Sequence, residues 1–167
     1  TGATSGLGRR FAQTLAAAGA AVVGCGRRAE RLDELVDEIT AAGGRAAGVP
    51  LDVSDASAIA DAVDQAEAAF GTVTILVNNA GMPDAQRAHK MSLELVDDVL
   101  DTNVRAPWLL SCEVARRLIA SKRPGRIVKT VDVELQRPRD ERVRESADFY
   151  KYENDLRRLL QLEHADV

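Results

Sequence analysis

The chain has 167 residues, 46% of them apolar and 29% charged, with a net charge of −4 and a pI near 5.3. This length suits one domain around one core, and the composition is that of a globular protein rather than a disordered one. An acidic balance with no basic run interleaved with aromatics argues against a nucleic-acid partner, and no apolar stretch approaches a membrane span.

The chain opens inside a motif. Thr1–Gly8 reads T-G-A-T-S-G-L-G and runs directly into a helical pattern over Leu7–Ala18. Gly2, Gly6 and Gly8 are spaced G-x-x-x-G-x-G. Glycine permits a tight turn and a close approach of backbone to a diphosphate. The helix start beyond it offers unpaired N–H groups to the same anion, and Thr4 and Ser5 add hydroxyls. Such a loop requires a strand before it. With none ahead of Thr1, a sheet lacking its first and usually central strand is expected, as is a fragment of a longer product. There is also no leader pattern, so a cytoplasmic location is expected.

Ala20–Cys25 (AAVVGC) is the next buried-strand candidate, followed by Gly24-Cys25-Gly26-Arg27-Arg28. Dinucleotide folds place an acid here for a ribose 2′-hydroxyl, or a cation for a 2′-phosphate. Arg27 and Arg28 favour NADP(H) over NAD(H) through charge-assisted bonds, and Arg27→Asp is expected to reverse the preference. The alternative is a pair of solvated arginines ahead of a helix.

That helix is expected over Glu30–Ala42, where Leu32, Leu35, Val36 and Ile39 recur on one face and Gly43-Gly44 supplies a stop. Gly48–Asp52 is a strand candidate weakened by Pro50. A third helix spans Ser57–Phe70, with Ser54 or Asp55 as its cap. Val73–Asn78 (VTILVN) reads as a strand, Leu93–Ala120 as a long helix, and Arg126–Thr130 as a further strand. Alternation at this spacing predicts an α/β fold: a doubly wound parallel sheet, Rossmann-like, truncated at both ends.

After Val128 the composition changes. Of residues 129–167, 18 of 39 are Asp, Glu, Lys or Arg, against 30 of 128 before, and this sets a boundary near Lys129. The tail is expected to hold an extended piece, with Val131, Val133 and Leu135 alternating up to Pro138, and then a charged helix over 140–163. Cys25 and Cys112 are expected to be buried thiols, and His89 and His164 surface residues. No metal site is expected from their spacing.

Further motifs give the pattern its family. Leu51-Asp52-Val53, Asn78-Asn79-Ala80-Gly81, Asp101-Thr102-Asn103-Val104 and Gly125-Arg126-Ile127-Val128 follow the glycine loop in order. Residues 1–128 thereby resemble the short-chain dehydrogenase/reductase family. The resemblance implies a dinucleotide-binding domain over that span and hydride transfer between NADP(H) and a carbonyl or alcohol. It implies cofactor contacts from Gly2, Thr4, Ser5, Gly6, Leu7, Gly8, Arg27, Arg28, Asp52, Val53, Asn79, Ala80 and Gly81. Asp52 would accept from the adenine amino group. Asn103 matches the family's active-site asparagine. A small-molecule substrate and a homo-oligomer are the partners it implies. Pro107, four residues after Asn103, cannot donate to the Asn103 carbonyl and should open that turn, leaving the carbonyl for water. The alternative there is an ordinary break between two helices.

The rest of the family's chemistry is not found. Its serine, and its tyrosine with a lysine four residues on, have no counterparts: Thr130 is the nearest hydroxyl, Asn154 follows Tyr150, and Leu156 follows Tyr152. Aligning Phe149 with the tyrosine puts Glu153 where the cation belongs. Two outcomes therefore stay open: an NADP(H)-linked reductase by descent, and an inactive dinucleotide-binding module or frameshifted fragment with a helical tail.

Overall fold

The computed structural model describes residues 1–82 and 88–128. The expected extended piece and charged helix, with Thr130, Phe149, Tyr150, Tyr152 and His164, lie outside them.

Helix α1 (Gly6–Ala17) leads to strand β1 (Ala21–Gly26), α2 (Ala29–Ala41) and β2 (Arg45–Pro50). A short 3-10 turn at Ala56–Ala58 opens α3 (Ile59–Phe70), and Asp55 caps it by accepting from the Ser57 N–H at 2.9 Å. Strand β3 (Ile75–Val77), α4 (Leu93–Leu100), α5 (Ala106–Ser121) and β4 (Arg126–Val128) follow. β1 pairs with β2 and β3 with β4, both parallel. Among the described residues no strand joins β1 to β3, so the sheet stands as two pairs.

Helices cover both faces. On one, Leu32, Leu35 and Ile39 of α2 pack with Ala12 and Ala16 of α1, all at most 5% exposed. Full burial of each large side chain is worth roughly 1.5–3 kcal/mol, so this stripe holds α2 to the sheet. On the other face Val63 of α3 meets Leu110, Val114 and Leu118 of α5, with Leu76 of β3 between them. Gly24 and Gly48 are register partners. A Cβ on Gly48 would lie 3.0 Å from Leu32 Cβ, and one on Gly24 would lie 3.2 Å from Leu35 Cδ2. The two glycines let α2 sit close on the strands.

Three expectations need correction. The second strand runs over Arg45–Pro50 rather than Gly48–Asp52. It is an outer strand, and Pro50 ends it, where a missing N–H breaks no ladder. The long helix is not continuous. Asp101–Arg105 forms a π-helical turn, in which the Ala106 N–H reaches back to the Asp101 carbonyl. Pro107 explains this: it has no N–H for the Asn103 carbonyl, and the turn widens around the gap. Cys112 is exposed, not buried, because it lies on the outward side of α5, one turn from the exposed Trp108. Cys25 is half-buried, and His89 is exposed, as expected.

Candidate dinucleotide site at the carboxyl ends of the strands

Within each pair the strands are parallel, and the ends of β1 and β3 come together through the start of the chain: the Ala3 N–H donates to the Cys25 carbonyl at 3.0 Å and the Thr1 nitrogen to the Val77 carbonyl at 2.8 Å. Open α/β sheets form their ligand crevice outside the carboxyl ends of such strands. The Thr1–Gly8 loop lies in it.

Thr1 fastens the loop to the segment after β3. Its Oγ1 accepts from the N–H groups of Asn79 (3.1 Å) and Ala80 (3.0 Å), and its carbonyl accepts from Asn79 Nδ2 at 3.0 Å. Its own nitrogen donates to the Val77 carbonyl at 2.8 Å. Gly2 (φ +68°) turns the chain where a Cβ would come within 2.9 Å of Ala80 Cα. Gly8 is buried so tightly that a Cβ would overlap the Gly2 carbonyl and the Asn79 amide. Gly6 differs: it is exposed at φ +58° and faces open space. Ser5 precedes α1 but makes no side-chain cap, and no acid occupies the first turn. The leading N–H groups of α1 thus have neither a side-chain acceptor nor a neighbouring carboxylate, which suits an incoming anion. The loop therefore fits a diphosphate: small residues where protein packs on it, open space at Gly6, uncapped donors behind.

The two arginines after β1 part company. Arg28 lies over the loop, its Nη2 donating to Thr4 Oγ1 (2.9 Å) and Ser5 Oγ (3.0 Å). Arg27 turns the other way, toward Asp52, at 3.9 Å. Gly26 leaves room for Thr4, whose Cγ2 would stand 2.6 Å from a Cβ there. Asp52 follows β2 with its carboxylate accepting from the N–H (3.1 Å) and hydroxyl (2.7 Å) of Ser54. Val53 is buried in the core, and Leu7 is half-buried.

Asn103 sits in the π turn, exposed, with its amide directed to the Met82 backbone. Its Oδ1 would stand 3.3 Å from a Cβ at Gly81. The structure thus gathers the predicted loop residues, Arg28, Asn79, Ala80, Gly81 and Asn103 around one end of the sheet.

Sequence reasoning missed three supporting residues. Thr1 was read only as the start of the motif. Asn78 is buried, its Nδ2 donating to Ser111 Oγ (3.2 Å) and the Pro107 carbonyl (3.4 Å), which ties β3 to α5 beside the π turn. Arg9 donates to Glu38 at 2.7 Å and to the Arg31 carbonyl at 3.2 Å, bracing α1 against α2. The Arg9 guanidinium holds the Glu38 carboxyl below the usual carboxylate range. A cation in the first turn of α1 was the available signal for the last.

Known proteins share this arrangement. A family model described as short chain dehydrogenase matches residues 1–142. Gluconate 5-dehydrogenase of Gluconobacter oxydans (strain 621H) is 39% identical over 140 residues, 83% of this chain and 54% of the relative. The 3-oxoacyl-(acyl-carrier-protein) reductase of Escherichia coli (strain K12) is 38% identical over 128 residues, 77% of this chain and 51% of the relative. Among solved structures, a metagenomic short-chain oxidoreductase in complex with NADP superposes with a TM-score of 0.73 at 32% identity, covering 97% of this chain and 72% of that one. The chain spans about half the length of the curated relatives it matches.

Proposed function

This chain belongs to the short-chain dehydrogenase family, and from that premise we propose that it binds NADP(H) in preference to NAD(H), as the cofactor-holding part of a cytoplasmic carbonyl or alcohol oxidoreductase. The observation that carries the preference is Arg28, whose guanidinium lies against Thr4 and Ser5 with no carboxylate partner among the described residues. A phosphate entering beside the loop would find that cation and two hydroxyls together. The bound nucleotide would supply hydride. The chain's own part is to hold the diphosphate on Gly6 and the start of α1, with the segment after β3 lining the other wall. The Asn103 carbonyl, lacking a donor at Pro107, is available to water. Leu100, Val104 and Trp108 stand exposed one turn apart and favour self-association on that face.

A second reading has its own support. Neither Tyr150 nor Tyr152 is followed four residues on by a lysine, so the proton donor and its activating cation are missing from the sequence pattern. Losing such a pair lowers a rate by about 10²–10⁴-fold. The chain would then be a dinucleotide-binding module without turnover. One experiment separates the readings: titrate the purified chain with NADPH and NADH, then follow NADPH absorbance with a panel of ketones. Turnover favours the enzyme, and tighter binding of NADPH without turnover favours the module. Folded chain with no affinity for either nucleotide at millimolar levels refutes both.

A further inference from the structure

Asn78 stands at the carboxyl end of β3. Alternation turns it to the same face as Leu76, which belongs to the core cluster with Leu110 and Val114 of α5. An apolar residue would suit that face. Asn78 is nevertheless 5% exposed, and its Oδ1 has no donor among the described residues. A buried acceptor left without a donor costs stability, whereas an apolar group of the same shape costs little or nothing there. Stability alone thus argues against an asparagine at this position.

The other end of the amide shows what it does instead. Nδ2 donates to Ser111 Oγ at 3.2 Å and to the Pro107 carbonyl at 3.4 Å, and Ser111 Oγ donates to the same carbonyl at 2.6 Å. The three groups close a clasp on the first turn of α5. Pro107 is also the residue that opens the chain upstream. It has no N–H to offer the Asn103 carbonyl, and the π turn over Asp101–Arg105 widens around that gap. The clasp therefore grips α5 by its second residue, directly beyond the turn that carries Asn103.

We propose that Asn78 is a positioning residue for Asn103: through Ser111 and the Pro107 carbonyl it sets where α5 starts relative to the end of β3, and so keeps the π turn in the register that brings the Asn103 carboxamide onto Met82. The links are short. Asn78 and Met82 bound one five-residue segment, and Asn103 bonds to the Met82 backbone at 2.8 and 3.0 Å. The segment after β3 is thus tied to the α4–α5 helices at both ends. A slip of the turn by one residue would swing Asn103 about 100° around the helix axis and break both Met82 bonds. Any part that Asn103 plays in hydride or proton transfer rests on the function proposed above; its placement by Asn78 does not.

The test is a double-mutant cycle in the full chain, read by urea unfolding with no nucleotide present, so its outcome is separate from the nucleotide reading. Asn78→Leu removes the clasp's amide and the orphan acceptor together and leaves Ser111 bonded to Pro107. Its midpoint should equal or exceed the parent's. Asn103→Ala should shift the folding equilibrium about fivefold in the parent. In Asn78→Leu it should shift it by less than about twofold, because the Met82 ring is already lost there. The Asn103 carboxamide signals in the nuclear magnetic resonance spectrum should also move to free side-chain positions in Asn78→Leu. Equal effects of Asn103→Ala in both backgrounds would show that Asn78 only packs, and would overturn the proposal. A silent Asn103→Ala in the parent overturns it too, since no ring is then left to position. Should Asn78→Leu fail to fold, Ser111→Ala takes its place and removes the shortest bond of the clasp. Coupling with Asn103→Ala then supports the proposal, and additivity overturns it.

Discussion

Asn103 closes a ring of two hydrogen bonds with one backbone residue, Met82: its Oδ1 takes the Met82 N–H at 2.8 Å, and its Nδ2 gives to the Met82 carbonyl at 3.0 Å. The π turn thereby fixes where the chain goes after Gly81. Asn103→Ala loses both bonds and should cost about 1 kcal/mol, since both are solvent-exposed and each nets little. Asn103→Asp keeps the acceptor and should fall between. Urea unfolding midpoints check the order, and an Asn103→Ala chain as stable as the parent would show that the ring contributes nothing.

Arg28→Ala should weaken NADPH binding about tenfold or more while leaving NADH affinity within about twofold, as expected for loss of a charge-assisted contact. Arg27→Asp should do less, because Arg27 faces Asp52 and not the loop. Paired calorimetric titrations with both nucleotides decide this. An equal loss for NADPH and NADH would assign Arg28 a merely structural part.

The glycines of the loop are not equivalent. Gly8→Ala overlaps the Gly2 carbonyl and the Asn79 amide, so it should abolish nucleotide binding and cost about 1–3 kcal/mol. Gly6→Ala meets no atom but keeps a left-handed backbone, and about 1 kcal/mol is expected. Thermal unfolding of the two variants should therefore rank Gly8→Ala below Gly6→Ala.

Much of this arrangement was legible in the chain. Leu32, Leu35 and Ile39 mark α2 because burial repeats every helical turn, and the loop glycines are visible because their constraint lies in the backbone. The break near Asn103 could be read from Pro107, but its resolution into a π turn depends on packing around Asn78 and Ser111. β2 was misplaced because Arg45-Ala46-Ala47 has no β-branched residue to announce a strand. The choice between Arg27 and Arg28 was also hidden. Adjacent residues turn opposite ways, and which one faces the loop is set by where α2 begins.

Arg117 fastens α5 to α3. It is 16% exposed and donates to Asp64, Glu67 and Glu113. Arg117→Ala should cost roughly 1–3 kcal/mol, between the values for exposed and buried pairs. The Arg116 and Arg117 guanidiniums hold the Glu113 carboxyl below its ordinary range. A depressed acid stabilises the fold above the unfolded value and loses that contribution on acidification. The gap between parent and variant should be full at neutral pH and close below about pH 4. A pH-independent gap would contradict the network.

One group beside the glycine loop acts in the alkaline range. Burial raises the Cys25 thiol from its usual value near 8.5. Above about 8.5 the folded thiol keeps a proton that the unfolded chain releases, so stability should then fall. Tm measured from about pH 7 to about pH 10 should decline, and Cys25→Ala should flatten the decline.

The low seat of α2 over Gly24 and Gly48 reaches beyond packing. Arg28 immediately precedes that helix, so its height above the loop is inherited from how deeply Leu32 settles onto the strands. A methyl group at Gly48 would jack up the first turn and carry the guanidinium away from Thr4 and Ser5. The coenzyme preference proposed above would thus be geared to Gly48, a residue outside the glycine loop, and grafting the arginine without that glycine should not transplant the trait.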